Sequence, residues 1–291
     1  MANRKSVDGS NVLYHYLQKD LYENDVWLFQ MLVAKLVTSL AIWFRPSFYQ
    51  EFPLLRPYAV RDATCRKKNN PLKIEQWGCP NEKGYFRDDN SLLKNLPSNL
   101  KITSPLKDLY DGKYIGNNFV ASHIWRELDP KQSNDNYAAR DPWIYSFVPN
   151  LVWLPAQVSK LTDRQGSFSQ LYLQAVSMKI YRNQPVSAAM HPFVTEAWKR
   201  LRMPEGIPEQ GLPEEKQLSY FDDTNSFRTR RYRDIASVYT ALQKVIDGKL
   251  LEKKVISSRY VAGLNELSPE NIRELANVLS KYSSSLEVTL P

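Results

Sequence analysis

Asn118-Phe-Val-Ala-Ser-His-Ile-Trp125 and Asn150-Leu-Val-Trp-Leu154 are the two apolar runs that decide the expected fold of this chain. Both are rich in β-branched and aromatic residues and have the length of a strand. The polar residues 126–149 connect them. Pro155 closes the second run, and residues 156–163 have helical character. The order of strand, loop, strand and helix predicts a hairpin that is followed directly by a helix.

Helices are predicted on both sides of this hairpin. The apolar run from Val26 to Phe44 has Asp25 as a capping residue and Pro46 just after its end. Apolar residues at helical spacing predict three further helices, at 168–181, at about 230–246 and at 268–282.

The chain is therefore expected to be an α+β protein, with helical N- and C-terminal parts around a small central ββα unit. Residues 50–115 carry turn residues and predict loops or short strands. We expect an N-terminal helical region at 1–50, a central α+β region at 51–203 and a C-terminal helical region at 204–291. The alternative is that all three form one compact domain.

The composition indicates a basic chain. It has 39 Lys and Arg against 31 Asp and Glu, a net charge of +8 and a pI near 9.2, which favours nucleic acid as a partner. Its two cysteines, Cys65 and Cys79, are too few for a cysteine-built zinc site and are typical of a reducing compartment. The N-terminus lacks the apolar stretch of a signal peptide, and Lys35 disfavours a membrane span at 26–44. We expect a cytoplasmic protein that does not enter a membrane.

An arginine-rich segment, Arg228-Thr-Arg-Arg-Tyr-Arg233, strengthens the prediction of nucleic-acid binding. Its four arginines (Arg228, Arg230, Arg231 and Arg233) can neutralise phosphates, and the interleaved aromatic residues can stack on bases. The alternative is an ordinary solvated helix face, and the sequence does not decide between the two.

The two apolar runs resemble the motifs of the HNH (ββα-metal) nuclease superfamily over about residues 115–165. Ala121-Ser-His-Ile124 is similar to the first motif, in which a dyad, commonly Asp-His or His-His, ends the first strand. Asn150-Leu-Val-Trp-Leu154 is similar to the second motif, Asn-Leu-x-x-Leu. The resemblance implies that His123 activates water as a general base and that Asn150 holds this base in place through the loop backbone.

The resemblance also implies a bound Mg²⁺ or Mn²⁺, but two expected ligands differ. Ser122 stands where the family has Asp or His, and Ser159 stands where it has His or Asn. A neutral hydroxyl is a poor ligand for Mg²⁺. Asp163, one helical turn after Ser159, is the carboxylate predicted to replace it. The adjacent pair Asp88-Asp89 is a second carboxylate source, unless it is a solvated turn.

These observations predict a metal-dependent DNA endonuclease that hydrolyses phosphodiester bonds, with Arg126, Lys160 and Arg164 contacting phosphates. A restriction or defence role, and DNA rather than RNA as substrate, follow only by analogy with the family. One alternative is a non-catalytic nucleic-acid-binding subunit of a larger assembly. Another is a structural protein in which 26–44 is the interface helix. A homodimer remains open.

Other enzyme classes find little support in the sequence. It contains no GxxxxGK[ST] loop, GxGxxG fingerprint, GxSxG elbow or HExxH pair. Glu252-Lys-Lys254 matches half of a PD-(D/E)XK nuclease pattern, but Asp247 lies too close in sequence to supply the other half.

Overall fold

The computed structural model describes residues 8, 11–12, 15, 26–66, 76–107, 109–130, 137–249, 251 and 255–286. Asp25 and Glu252-Lys-Lys254 lie outside the described residues. The helices are α1 (Val26–Ser39), α2 (Pro46–Glu51), α3 (Ser91–Asn95), α4 (Ala156–Ser159), α5 (Phe168–Tyr181), α6 (His191–Arg200), α7 (Asn225–Ile246) and α8 (Pro269–Leu286). The strands are β1 (Ile42–Trp43), β2 (Ala59–Arg61), β3 (Phe86–Asp88), β4 (Ile102–Thr103), β5 (Phe119–His123), β6 (Leu151–Pro155) and β7 (Ser219–Phe221). Short 3₁₀ helices lie at Ala63–Cys65, Ala138–Arg140, Val148–Asn150, Lys160–Thr162, Glu215–Gln217 and Leu264–Glu266.

A mixed five-stranded sheet, in the order β4-β7-β1-β6-β5, forms the centre of an α+β fold. β1 lies between β6, with which it is antiparallel, and β7, with which it is parallel. The predicted N- and C-terminal regions therefore contribute strands as well as helices. The predicted α+β class is confirmed, and the predicted hairpin with its helix forms the edge of this larger sheet.

The predicted helix from Val26 to Phe44 ends early, at Ser39. The chain leaves the helix through a tight turn in which the amide of Ala41 donates to the carbonyl of Thr38. Residues 41–44 then have almost no exposed surface, because β1 is covered on both faces in the middle of the sheet. A continuous apolar run is typical of either a buried helix or a buried strand, so the sequence pattern could not separate them.

The strands β5 and β6 pair as the antiparallel hairpin predicted from the sequence. The register places His123 opposite Leu151 and Phe119 opposite Pro155. α4 begins directly after β6 and contacts both strands. A second sheet of two parallel strands, β2 and β3, aligns Arg61 with Asp88.

Helix α5 supports the end of the hairpin from behind. The side-chain amide of Gln174 donates to the carbonyl of Ile124 at 2.7 Å, and the hydroxyl of Ser177 donates to the carbonyl of Pro149 at 2.6 Å. Both side chains are buried. The two chain segments that carry His123 and Asn150 are thus attached to one rigid element.

Helix α1 packs against α5 and leaves an apolar row on its outer side. Leu28, Leu32 and Leu36, spaced four residues apart, each expose half of their surface or more. Among the described residues, no helix combines the length and the apolar character needed to cross a membrane.

Candidate functional site

His123 is the last residue of β5, and its ring has a defined orientation. Its Nε2 lies 2.9 Å from the carbonyl oxygen of Tyr145, and its ring stacks on that of Tyr145 with 5.1 Å between centroids and 25° between planes. A carbonyl oxygen can only accept a hydrogen bond, so Nε2 carries the proton. In the neutral ring Nδ1 is then the atom with the free lone pair.

The surroundings of His123 keep this ring neutral. Burial lowers the pKa of His123 to about 4, and the positive charges of Arg61 and Arg126 act in the same direction. The hydrogen bond to the carbonyl of Tyr145 opposes them only in part. At neutral pH the imidazole is therefore unprotonated, which is the form that can accept a proton from water.

Asn150 is fully buried beside His123 and connects both ends of the loop between the strands. Its side-chain oxygen accepts from the amide of Trp125 at 2.7 Å, and its side-chain nitrogen donates to the carbonyl of Ile144 at 3.2 Å. Its own carbonyl accepts from the amide of Ile124 at 3.0 Å. These contacts fix the backbone that follows His123 and the start of β6.

Tyr145 is the site residue that the sequence did not indicate. Its carbonyl holds His123, and its hydroxyl donates to the carboxylate of Asp88 at 2.7 Å. The side chain of Asn90, next to that contact, donates to the carbonyl of Ala121 in β5. A tyrosine within a polar loop has no distinguishing pattern in one sequence, so only the fold brings it to the histidine.

The pair Asp88-Asp89 is neither a solvated turn nor a cation site. Asp88 is buried and accepts from the amides of Leu92 and Leu93 at the start of α3, in addition to the hydroxyl of Tyr145. Burial raises the pKa of Asp88. Asp89 forms an ion pair with Arg66. The oxygens that a cation would need are already occupied by protein donors.

The side chains at the implied metal positions do not fit a Mg²⁺ or Mn²⁺ site. The hydroxyl of Ser159 is buried and donates to the carbonyl of Ala156 at 2.9 Å. Asp163 is 66% exposed, and its carboxylate lies 3.8 Å from a guanidinium nitrogen of Arg126. Ser122 offers only a neutral hydroxyl. Within the part of the chain that the structure describes, no group of three or more His, Cys, Asp or Glu side chains is arranged to hold a metal ion.

Three predicted phosphate-contacting residues lie on or just beyond the hairpin and its helix. Lys160 and Arg164 are exposed, and the side chain of Arg126 is 41% exposed. A fourth cation, Arg61, was not expected from the sequence. It is the exposed last residue of β2, and its charge acts on both His123 and Tyr145.

The arginine-rich segment of α7 divides into two pairs. Arg230 and Arg233 are exposed, as nucleic-acid contacts require. Arg228 is ion-paired with Glu51 and Asp223, so its charge is already neutralised.

Arg231 is buried and donates to the carbonyl of Leu55. The prediction that Arg228 and Arg231 are surface contacts for nucleic acid is wrong, because the helical turn directs both of them towards the protein interior.

No protein-family model matches this chain, and no significant similarity to a curated protein or to a solved structure is found. The functional assignment therefore depends on the geometry around His123.

Proposed function

We propose that this chain is an HNH-like endonuclease that cuts phosphodiester bonds in DNA, with His123 as the general base. The observation that carries the proposal is the contact between Nε2 of His123 and the carbonyl of Tyr145. It fixes the tautomer in which Nδ1 can accept a proton. A restriction or defence role is part of the proposal by analogy with the family.

In this proposal Tyr145 and Asn150 orient the site, and His123 transfers the proton. Tyr145 fixes the ring, and Asn150 fixes the loop that carries Tyr145. Nδ1 then takes a proton from water as the water oxygen bonds to phosphorus. The opposite P–O ester bond breaks, and its electron pair leaves with the departing oxygen, which takes a proton from solvent. No step is assigned to a metal ion, because the side chains at the implied ligand positions do not fit one.

Nicking of supercoiled plasmid by the purified full chain tests the proposal. We expect nicking by the wild type and none by His123→Ala, with DNA binding by both proteins nearly equal. Mg²⁺, Mn²⁺ and EDTA are compared in separate reactions, because the family resemblance implies a metal. Undiminished nicking by His123→Ala would move the active site elsewhere in the chain.

A second candidate is a nucleic-acid-binding subunit without catalytic activity. The serines at positions 122 and 159 favour it, because a nuclease that lost its metal ligands can keep its scaffold and its basic surface. Lys160, Arg164, Arg230 and Arg233 are exposed cations in either case. Salt-sensitive DNA binding without nicking under any metal condition would support this candidate over the nuclease.

The apolar row of Leu28, Leu32 and Leu36 on α1 is the surface that we propose for self-association. Sedimentation of the wild type and of Leu32→Glu measures whether this row holds two copies together.

A further inference from the structure

A small cavity lies between α7, α8 and the segment that joins α2 to β2. Arg56 of that segment and Arg231 of α7 both line it. Both residues are buried, with 5% and 3% of their surface exposed. The cavity has a volume of about 10 Å³, close to that of one water-sized sphere, so the two side chains meet around a single point.

Three N–H groups of these two arginines lack a protein acceptor. The atoms are Nε and Nη1 of Arg56 and Nε of Arg231, all of them buried, and no residue of the described chain accepts from them. Arg56 lies over the ring of Tyr260, 5.0 Å from the ring centroid. Arg231 donates from Nη2 to the carbonyl of Leu55. Buried donors are nearly always paired, so unpaired donors at a shared cavity indicate a ligand that accepts hydrogen bonds.

The lining of the cavity carries an excess of one positive charge. Arg56 and Arg231 supply two positive charges, and Asp234, with an oxygen 3.9 Å from Nη1 of Arg231, supplies one negative charge. Burial and the charge of Arg231 lower the pKa of Arg56 to about 9, so its guanidinium is still protonated at neutral pH. The charge of Asp88 also acts on Arg56, but its carboxylate lies outside the lining and accepts from Tyr145. One monovalent anion balances the charges of the lining.

We infer that this cavity binds a single chloride ion, which accepts hydrogen bonds from the unpaired N–H groups of Arg56 and Arg231. The volume selects a monatomic ion, because phosphate, sulfate and carboxylate groups are too large for it. A water molecule in the same place would leave the excess charge without a counterion, which is costly away from bulk water. The other lining residues add no charge at neutral pH: Pro57, Ile235, Val238, Ile256, Tyr260 and Leu279.

The chloride ion joins parts of the chain that are distant in sequence. Arg56 precedes β2, Arg231 belongs to α7, and Leu279 brings α8 to the same cavity. A ligand that binds only the folded chain stabilises it by mass action. Chloride therefore stabilises the packing of the two C-terminal helices on the rest of the protein. This role is independent of the proposed nuclease function, because neither His123 nor Asn150 lines the cavity.

The first experiment measures thermal unfolding of the full chain while sodium chloride replaces sodium gluconate at constant ionic strength. Gluconate is too large for the cavity and serves as the inert anion. We expect Tm to rise with the logarithm of chloride concentration above Kd, by about 5 °C at 100 times Kd. A Tm that does not respond to chloride would overturn the inference.

The variant Arg56→Met tests whether the response comes from this cavity. It removes two of the three unpaired donors together with the excess positive charge, so its Tm should not depend on chloride. Arg230→Met is the matched control, because Arg230 is the exposed neighbour of Arg231 on α7. Its chloride response should equal that of the wild type. An unchanged response in Arg56→Met contradicts the inference, since the ion would then bind elsewhere.

Long-wavelength anomalous diffraction tests the site in the wild type and does not require that a variant folds. Crystals grown in chloride should show an anomalous peak between the side chains of Arg56 and Arg231. A water molecule gives no such peak, so density without anomalous signal overturns the inference. A peak in the crystal without a Tm response in solution identifies an adventitious ion only and overturns it as well.

Discussion

Two candidate sites were predicted from short stretches of sequence: the end of the β5–β6 hairpin and the arginine-rich segment of α7. The fold keeps the residues of the first together and separates those of the second. At the hairpin, His123 and Asn150 meet because antiparallel pairing brings the end of one strand to the beginning of the next. On α7, four arginines in six residues point in different directions, and two of them are directed inward. Strand pairing preserves a motif as one site, whereas the helical period distributes adjacent residues around an axis.

Replacement of His123 should give the largest effect and test the hairpin side of this comparison. We expect His123→Ala to lower the nicking rate by about 10²–10⁴-fold, the usual contribution of a general base. DNA affinity should change little, because Nδ1 transfers a proton and does not hold the phosphate. His191→Ala is the control, since His191 is exposed at the start of α6.

The inward pair on α7 should matter for stability, whereas the outward pair should not. Arg228→Met leaves the buried carboxylate of Asp223 without its main partner and should lower the free energy of unfolding by up to about 3–5 kcal/mol. Arg230→Met, on the exposed side, should change it by about 0.5 kcal/mol or less. Urea denaturation measures both. Equal effects would mean that the segment is a uniform surface, as the sequence alone allowed.

Asn150 should be more important for stability than an exposed asparagine with the same number of side-chain hydrogen bonds. Asn150→Ala leaves the amide of Trp125 unpaired in the interior and should cost about 1–3 kcal/mol; the carbonyl of Ile144 keeps the amide of Phe147 as a donor. Asn265 makes two comparable bonds to Leu251 at the surface, where water can replace them. An equally large loss of stability in Asn265→Ala would mean that burial of the Asn150 contacts does not increase their contribution.

The pH dependence of nicking should distinguish His123 from an ordinary histidine. With the usual pKa of about 6.5, the neutral fraction would fall about 25-fold between pH 7 and pH 5. The pKa of about 4 for His123 leaves the ring neutral across that range, so kcat/KM should fall less than about twofold. The acidic limb should appear near pH 4. A midpoint near pH 6.5 would contradict the lowered pKa of His123.

The outward pair on α7 should give the smallest and most specific effect. Arg230→Gln combined with Arg233→Gln should lower the slope of log affinity against log salt by about 0.9 for each phosphate contact removed. Folding should be unaffected because both side chains are exposed. An unchanged slope would assign these two arginines to a solvated face, and the DNA-binding surface would then be sought around Lys160 and Arg164.

Local pattern was enough to predict several elements of the fold. The helix Phe168–Tyr181 has the predicted bounds, and the β5–β6 hairpin is confirmed. The end of the helix that begins at Val26 was not predictable, because Ile42 and Trp43 are buried by strands far away in the sequence.

The same reason explains which parts of the candidate site the sequence left out. His123 and Asn150 were named because they belong to recognisable motifs next to predicted strands. Tyr145 and Asp88 are joined to His123 only through the junction between the two sheets. Residues that join a site only through long-range contacts cannot be identified from their neighbours in the sequence.

The central place of β1 has a consequence for synthesis on the ribosome. Ile42 pairs with Trp153 on one side and with Ser219 on the other. When residues 123 and 150 have been synthesised, β7 has not. Until it has, one edge of β1 is unpaired and can pair with other chains. The sheet beneath the site is therefore completed late in translation, and truncation before residue 219 should yield aggregates rather than a smaller active protein.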